Sequence, residues 1–97
     1  MTDGIQRILR EDGQKGGYFL REGKATAILT FSVVAPDLII ADHTEVPEAL
    51  RGTGAGGRLV AHMVDDARAR GIRIVPLCPF VNAQRLKHPD WADVFTS

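Results

Sequence analysis

The segment Arg51–Gly57 combines the residue types that most directly predict a binding chemistry. It contains four glycines, and one arginine begins it while another follows it directly. In the residues that follow, apolar side chains recur with the spacing of a helix. They would form one stripe on its surface: Leu59, Val60, Met63, Val64 and Ala67. The first turn of a helix offers unpaired N–H groups and the positive end of the helix dipole, and glycines let a phosphate approach the backbone. The segment is therefore predicted to bind a phosphate or a pyrophosphate.

Two common nucleotide motifs fit this segment poorly. The Walker A pattern requires lysine and then serine or threonine after its last glycine, but arginine and leucine follow here. The dinucleotide pattern G-x-G-x-x-G is formally present as Gly52, Gly54 and Gly57. That pattern should directly follow a strand and have an acidic residue about 20 positions later for the ribose. Here residues 47–51 intervene, and no acid stands near Leu77.

A third pattern fits better, namely arginine or glutamine, two residues, glycine, one residue, and then glycine or alanine. Arg51, Gly54 and Gly56 satisfy it. In this segment the chain resembles the GNAT superfamily of N-acetyltransferases, whose acetyl-coenzyme A signature has this form. The alternative is a glycine-rich helix start that binds no ligand.

The resemblance extends to four blocks that occur in order along the chain. They are Asp42–Pro47, Leu50–Gly54, Val75–Val81 and Lys87–Trp91. Together they resemble a group of unusually short GNAT-like N-acetyltransferases, and the similarity covers about residues 18–95. The resemblance implies a minimal GNAT core that lacks the N-terminal helices with which larger members cover the acceptor site.

This resemblance also implies which residues bind acetyl-coenzyme A. The pantetheine arm is expected beside the strand that ends at Val46. The pyrophosphate is expected on residues Arg51–Gly56, which we call the glycine loop. The expected coenzyme-binding residues are Val46, Arg51, Gly52, Thr53, Gly54, Ala55, Gly56 and Lys87. Lys87 or His88 is expected to reach the adenosine phosphate, although a plain surface role explains either residue equally well.

His43 and Glu45 are the first candidates for catalysis. Acetyl transfer to an amine requires a base that removes a proton from the amine. Residues two apart on a strand point to the same face, and histidine titrates near neutral pH. His43 is therefore a candidate base, and Glu45 a group that acts through water or holds the acceptor's ammonium. The alternative is a solvated strand end.

Cys78 is the second candidate. It follows a predicted strand and precedes a predicted helix start, where a thiolate is stabilised. The resemblance implies a catalytic cysteine here, either as the carrier of the acetyl group or as an acid–base. The alternative is a small buried apolar residue. Gln84 departs from the resembled group, which often has tyrosine at this position, and a glutamine cannot protonate the leaving thiol.

The elements that must position these residues can be predicted from the periodicity. Strands are predicted at Tyr18–Arg21, Lys24–Val34, Leu38–Val46 and Ile72–Leu77, and helices at Ala55–Arg70 and from Pro79 onward. On the second strand Ala25, Ala27, Leu29, Phe31 and Val33 share one face. The predicted fold is α/β, in the order β-β-β-α-β-α. An antiparallel meander is followed by a strand parallel to the preceding one and central in a mixed sheet.

Length and composition limit the remaining classes. The chain has 97 residues, 44% hydrophobic and 25% charged, which predicts one soluble domain with a flexible segment at residues 1–16. The formal net charge is zero and no apolar run approaches the roughly 20 residues of a membrane helix. We therefore expect no nucleic-acid or membrane partner. One cysteine fits a reducing cytoplasm.

The charges are divided unevenly between the two halves. Residues 1–50 carry five basic and eight acidic side chains, whereas residues 51–97 carry seven basic and four acidic ones. The second half is therefore the expected site of an anionic ligand, and the acidic first half favours a cationic acceptor.

The sequence thus predicts an acetyl-coenzyme A-dependent N-acetyltransferase. Its acceptor amine would be a protein or peptide lysine, an N-terminus or a small amine. No metal is expected, and the protein is expected to be a monomer or a weak dimer. The alternative is a non-catalytic module that binds coenzyme A or another protein.

Overall fold

Five strands form one sheet, and they lie side by side in the order in which they occur along the chain. The computed structural model describes residues 4–96. The strands are Ile5–Leu9 (β1), Lys15–Glu22 (β2), Ala25–Ala35 (β3), Leu38–Glu45 (β4) and Arg73–Val75 (β5). The helices are Ala55–Arg70 (α1) and Pro79–Lys87 (α2), with short 3-10 helices at Glu48–Leu50 and Pro89–Trp91. The first four strands are antiparallel neighbours, and β5 is parallel to β4, as predicted.

Alternation along β3 divides the sheet into two different faces. Ala27, Leu29 and Phe31 are fully buried, and they pack with the buried residues of α1 in one core. Thr26 and Ile28, which point the other way, remain partly exposed. We call the face with Leu29 the inner face and the face with Ile28 the outer face. Among the described residues no helix covers the outer face, because the buried side chains of α1 and α2 belong to the core on the inner face.

Two predictions about the sheet were wrong. The predicted order lacks one strand, because residues 5–9, which the predicted flexible segment includes, pair with β2 as the antiparallel edge strand β1. Residues 1–3 of that segment lie outside the described residues. β5 is not central. It is the last strand of the sheet, and its other side makes only a single bridge between Ile74 and Phe95. The apolar character of β5 comes from burial of Ile74 in the core.

A bulge in β4 changes which side chains share a face. Thr30 pairs with His43 but Phe31 pairs with Ala41, so Asp42 is an extra residue on β4. The Asp42 carboxylate accepts a hydrogen bond of 2.6 Å from the hydroxyl of Ser32, a residue of the outer face. Asp42 and His43 therefore both point to the outer face.

A polar cluster joins β1 and β2 to α1. The Tyr18 hydroxyl donates a hydrogen bond of 2.8 Å to Asp66 Oδ2, and Arg70 Nε lies 3.0 Å from the same oxygen. Arg7 Nε lies 3.4 Å from it. Burial and the hydrogen bond to Asp66 raise the pKa of Tyr18 above its usual range. Burial alone would raise the pKa of Asp66, but the hydrogen bonds from Tyr18 and Arg70 outweigh it and lower that pKa below its usual value.

No helix among residues 4–96 is long and apolar enough to cross a membrane.

Candidate functional site

The loop before α1 has the backbone that glycine permits. Gly52 and Gly54 have φ angles of 82° and 83°, in the left-handed region that other residues rarely adopt. Gly54 is the N-cap of α1 and makes no side-chain cap. The first helical bond runs from the Arg58 N–H to the Gly54 carbonyl, at 2.9 Å. The N–H groups of the first turn therefore have no side-chain cap and are available to an anion.

A cavity of about 370 Å³ lies between this loop and α2. The glycine loop lines one side of it, and Val46 and Leu50 also contribute. On α2 the lining residues are Phe80 and Gln84, which are four positions apart and so share one face of the helix. The cavity thus combines exposed main-chain donors with an apolar wall.

Gly56 allows α1 and α2 to come together at this cavity. A Cβ atom at this position would lie 2.7 Å from Phe80 Cζ and 3.4 Å from Val46 Cγ2. Any larger residue would therefore displace Phe80 or the start of α1. Gly56 is therefore required by the close packing of α2 against the start of α1.

The cations near the cavity differ in what they contact. Arg51 is exposed and lines the cavity. The Arg58 guanidinium lies 2.9 Å from Glu22 Oε2 and so bridges α1 to β2. Lys87 is the last residue of α2 and is exposed. Its position, three after Gln84, continues the helix face that lines the cavity, although Lys87 itself does not line it.

The thiol of Cys78 is buried, on the opposite side of β4 from His43. Cys78 is the N-cap of α2, as predicted, but only 4% of it is exposed. Its Sγ lies 3.4 Å from Thr44 Oγ1, and Thr44 pairs with the inner-face residue Leu29. The Cys78 N–H donates to the Ala41 carbonyl at 2.9 Å.

His43 and Glu45 lie on the outer face, as their spacing predicts. They pair with Thr30 and Ile28 of β3, and both are exposed. The three candidate catalytic residues therefore do not form one cluster. His43 and Glu45 are accessible from the outer face, whereas Cys78 belongs to the core.

One edge of β4 is open next to Cys78 and next to the pair His43 and Glu45. The pairing of β4 with β5 ends at Ile40 and Val75, and the chain then leaves the sheet to form α2. β4 continues to Glu45, so beyond the hydrogen bond at Ala41 this edge has no strand partner among the described residues. A ligand could pair with this edge as a strand would.

Phe80 and Leu50 are lining residues that the sequence analysis did not single out. Phe80 lies four positions before Gln84, and that helical spacing was a usable signal. Gln84 was noted only as a departure from a resembled pattern, and the structure places its side chain in the cavity wall. Thr53 was predicted to bind the coenzyme, but its hydroxyl donates to the Leu50 carbonyl within the loop. Its main-chain N–H donates to the same carbonyl at 3.2 Å, and Thr53 does not line the cavity.

Comparison with known proteins gives the family. The model of the GCN5-related N-acetyltransferase family matches residues 17–94. Among solved structures, the chain is similar to a GCN5-like N-acetyltransferase candidate from Staphylococcus aureus, determined in solution by NMR. The two share 26% sequence identity with a TM-score of 0.70, over 99% of this chain and 92% of that one. No curated protein matches the chain. The match over most of the chain and the shared mixed sheet show that this protein belongs to the GCN5-related N-acetyltransferases.

Proposed function

We propose that this N-acetyltransferase uses acetyl-coenzyme A as donor and transfers the acetyl group to a primary amine. The observation that carries the proposal is the glycine loop at the start of α1, whose uncapped N–H groups open into a cavity of about 370 Å³. The acceptor amine belongs to a peptide, a protein or a small molecule.

The residues present fit the coenzyme along the cavity. The N–H groups from Gly54 to Gly56 would hold the diphosphate, with Arg51 as the nearby cation. The open edge of β4, up to Val46, would pair with the amides of the pantetheine arm. Lys87 would contact the adenosine phosphate from the far end of the α2 face. Acetyl-coenzyme A supplies the acetyl group in activated form, as a thioester.

The direct route of transfer uses the outer face. His43 takes a proton from the acceptor ammonium, and Glu45 attracts that ammonium. The nitrogen then forms a bond to the acetyl carbon, the carbon–sulfur bond breaks, the nitrogen loses a second proton, and the sulfur gains one. Gln84 carries no acidic proton, so solvent supplies the proton that the sulfur needs.

A covalent route would use Cys78 as the first acceptor of the acetyl group. The thiol would lose its proton and bond to the acetyl carbon as the bond from that carbon to the coenzyme sulfur breaks, and the coenzyme sulfur would gain a proton. The amine would later displace the Cys78 sulfur from the acetyl carbon and lose a proton, and the Cys78 sulfur would regain one. We favour the direct route because His43 is exposed, whereas Cys78 is 96% buried against Thr44 and the core.

Calorimetric titration with acetyl-coenzyme A tests the binding site. The unmodified protein should bind, and Arg51→Glu should bind at least tenfold more weakly because it places an anion beside the diphosphate; tenfold corresponds to about 1.4 kcal/mol. Arg21→Glu, an exposed position on β2, is the matched control and should bind normally. Equal binding by the two variants would contradict the site.

Release of the coenzyme thiol in the presence of amines tests the reaction. His43→Ala should lower the rate at least tenfold, and Cys78→Ala should leave the greater part of it. If Cys78→Ala abolishes release while its binding of acetyl-coenzyme A is normal, the covalent route is correct. If the protein binds acetyl-coenzyme A but no amine causes release of the coenzyme thiol, the transferase proposal is wrong and the protein is a coenzyme-binding module.

A further inference from the structure

The ammonium of Lys15 lies against the bulge of β4, on the outer face of the sheet. Lys15 pairs with Ser32 of β3, and its Nζ donates a hydrogen bond of 3.2 Å to Ser32 Oγ. The same Nζ lies 3.9 Å from Asp42 Oδ2, the oxygen that also accepts the hydrogen bond from Ser32. The lysine side chain therefore crosses β3 and brings its amine to β4.

The position of Asp42 on β4 brings this amine close to the proposed base. Asp42 directly precedes His43, and the bulge directs both side chains to the outer face. Ser32 stands two positions after Thr30, the strand partner of His43, and such diagonal neighbours are about 7–8 Å apart. Asp42 is also the first residue of β4 beyond the hydrogen bond at Ala41, where the open edge begins. The amine thus lies beside the part of β4 where the bound coenzyme would present its acetyl group.

The other two lysines of the chain, Lys24 and Lys87, lie away from this point. Lys24 is exposed in the turn before β3, and the five steps along β3 from Thr30 back to Ala25 span about 16 Å. Lys87 ends α2, about 13 Å along the helix from the end that contacts β4. Lys15 is therefore the lysine that the strand register brings next to the proposed base.

The ion pair with Asp42 holds the Lys15 amine without enclosing it. The structure exposes 57% of the Lys15 side chain and 26% of the Asp42 side chain. Ion pairs that solvent reaches are weak, so the pair resists neither deprotonation of the amine nor its movement toward a bound thioester to any great extent.

We propose that Lys15 is an internal acceptor, which the protein acetylates on its own chain. The inference rests on the proposed function, because the activated acetyl group comes from acetyl-coenzyme A. His43 takes one proton from the Lys15 ammonium, Nζ forms a bond to the acetyl carbon, and the bond from that carbon to the coenzyme sulfur breaks. Nζ loses a second proton to solvent, and the sulfur gains one. The product is a neutral amide, so the charge that offsets Asp42 is removed.

Peptide mass spectrometry of the protein incubated with saturating acetyl-coenzyme A, without added amine, tests this inference. Lys24 in the same sample measures the uncatalysed reaction of the thioester with an exposed lysine. Lys15 should be acetylated at least tenfold faster than Lys24, and its rate constant should not change over a tenfold range of protein concentration. Equal rates at the two lysines, or a rate constant at Lys15 that rises with protein concentration, would overturn the inference.

Two variants test the placement of the amine. His43→Ala should slow acetylation of Lys15 at least tenfold and leave that of Lys24 unchanged. The double variant Lys15→Arg with Arg21→Lys moves the lysine six positions along β2 on the same face of the sheet. The lysine at position 21 should react no faster than Lys24, and rapid acetylation there would contradict the role of strand register.

Two further measurements separate this inference from the proposed function. Lys15→Arg should bind acetyl-coenzyme A normally in calorimetry and should still release the coenzyme thiol when an amine is added. If the unmodified protein does not bind acetyl-coenzyme A, the proposed function and this inference fail together. If it binds the coenzyme and acetylates added amines while Lys15 reacts no faster than Lys24, only this inference fails.

Discussion

The inner and outer faces of β3 carry alternate residues of the same strand but differ in how deeply these residues are buried. On the inner face Leu29 and Phe31 have no exposed surface, and α1 packs over them. On the outer face Ile28 and Thr30 are partly exposed, and no described helix covers them. The buried core of this small protein therefore lies on the inner face. The outer face can vary its side chains at little cost to folding.

The largest effect is expected when neighbouring apolar residues on the two faces are each replaced by alanine. Leu29→Ala should lower the free energy of unfolding by about 2–5 kcal/mol, because it leaves a cavity in the core. Ile28→Ala should cost about 1 kcal/mol or less, because its side chain is partly solvated. Urea unfolding of both variants measures the two values, and similar losses would show that the outer face is covered in solution.

The next test concerns the polar cluster at the edge of the inner face. Tyr18→Phe should lower the free energy of unfolding by about 1–2 kcal/mol, because Asp66 loses the hydroxyl that donates to it. The same substitution in an Asp66→Ala background should cost clearly less. An undiminished cost there would attribute the loss to packing of the ring instead of the hydrogen bond.

Two glycines at the start of α1 should respond in opposite directions. Gly54→Ala should destabilise the protein by about 1–2 kcal/mol, because its φ angle of 83° is strained for any other residue. Gly57→Ala should stabilise it by up to about 1 kcal/mol, since alanine favours helix and its Cβ would meet only Gln84 Oε1, at 3.7 Å. Thermal unfolding without ligand measures both, and a stabilising Gly54→Ala would contradict the described loop.

The smallest expected effect is the acid dependence caused by Asp66. The pKa of Asp66 is lower in the folded protein than in the unfolded chain, so the ionised carboxylate stabilises the folded state. The resulting stability is present above the usual carboxyl pKa of about 4 and is lost as the pH falls through the folded-state pKa. Urea midpoints between pH 7 and pH 3 should therefore fall less steeply for Asp66→Asn than for the unmodified protein. Parallel curves would show that Asp66 adds nothing to the acid dependence.

Much of the fold was predictable because it rests on local periodicity. Alternation identified β3, and a helical stripe that ends at Gly71 identified α1 with the observed bounds. β1 was missed because Ile5–Leu9 has weak alternation and an edge strand buries little. β5 was assigned to the centre because a short apolar run looks the same whether a neighbouring strand or packed side chains bury it.

From the sequence alone, the glycines before α1 are expected to allow left-handed φ angles, and Gly52 and Gly54 adopt them. The sequence also predicts that His43 and Glu45 point to the same face, because successive side chains of a strand point to opposite faces of the sheet. By contrast, the position of Cys78 on the opposite side of β4 and the packing of Phe80 against Gly56 depend on the tertiary structure. These relations join residues far apart in the chain, and they depend on strand register, on the bulge at Asp42 and on the packing of α2, none of which a local pattern encodes.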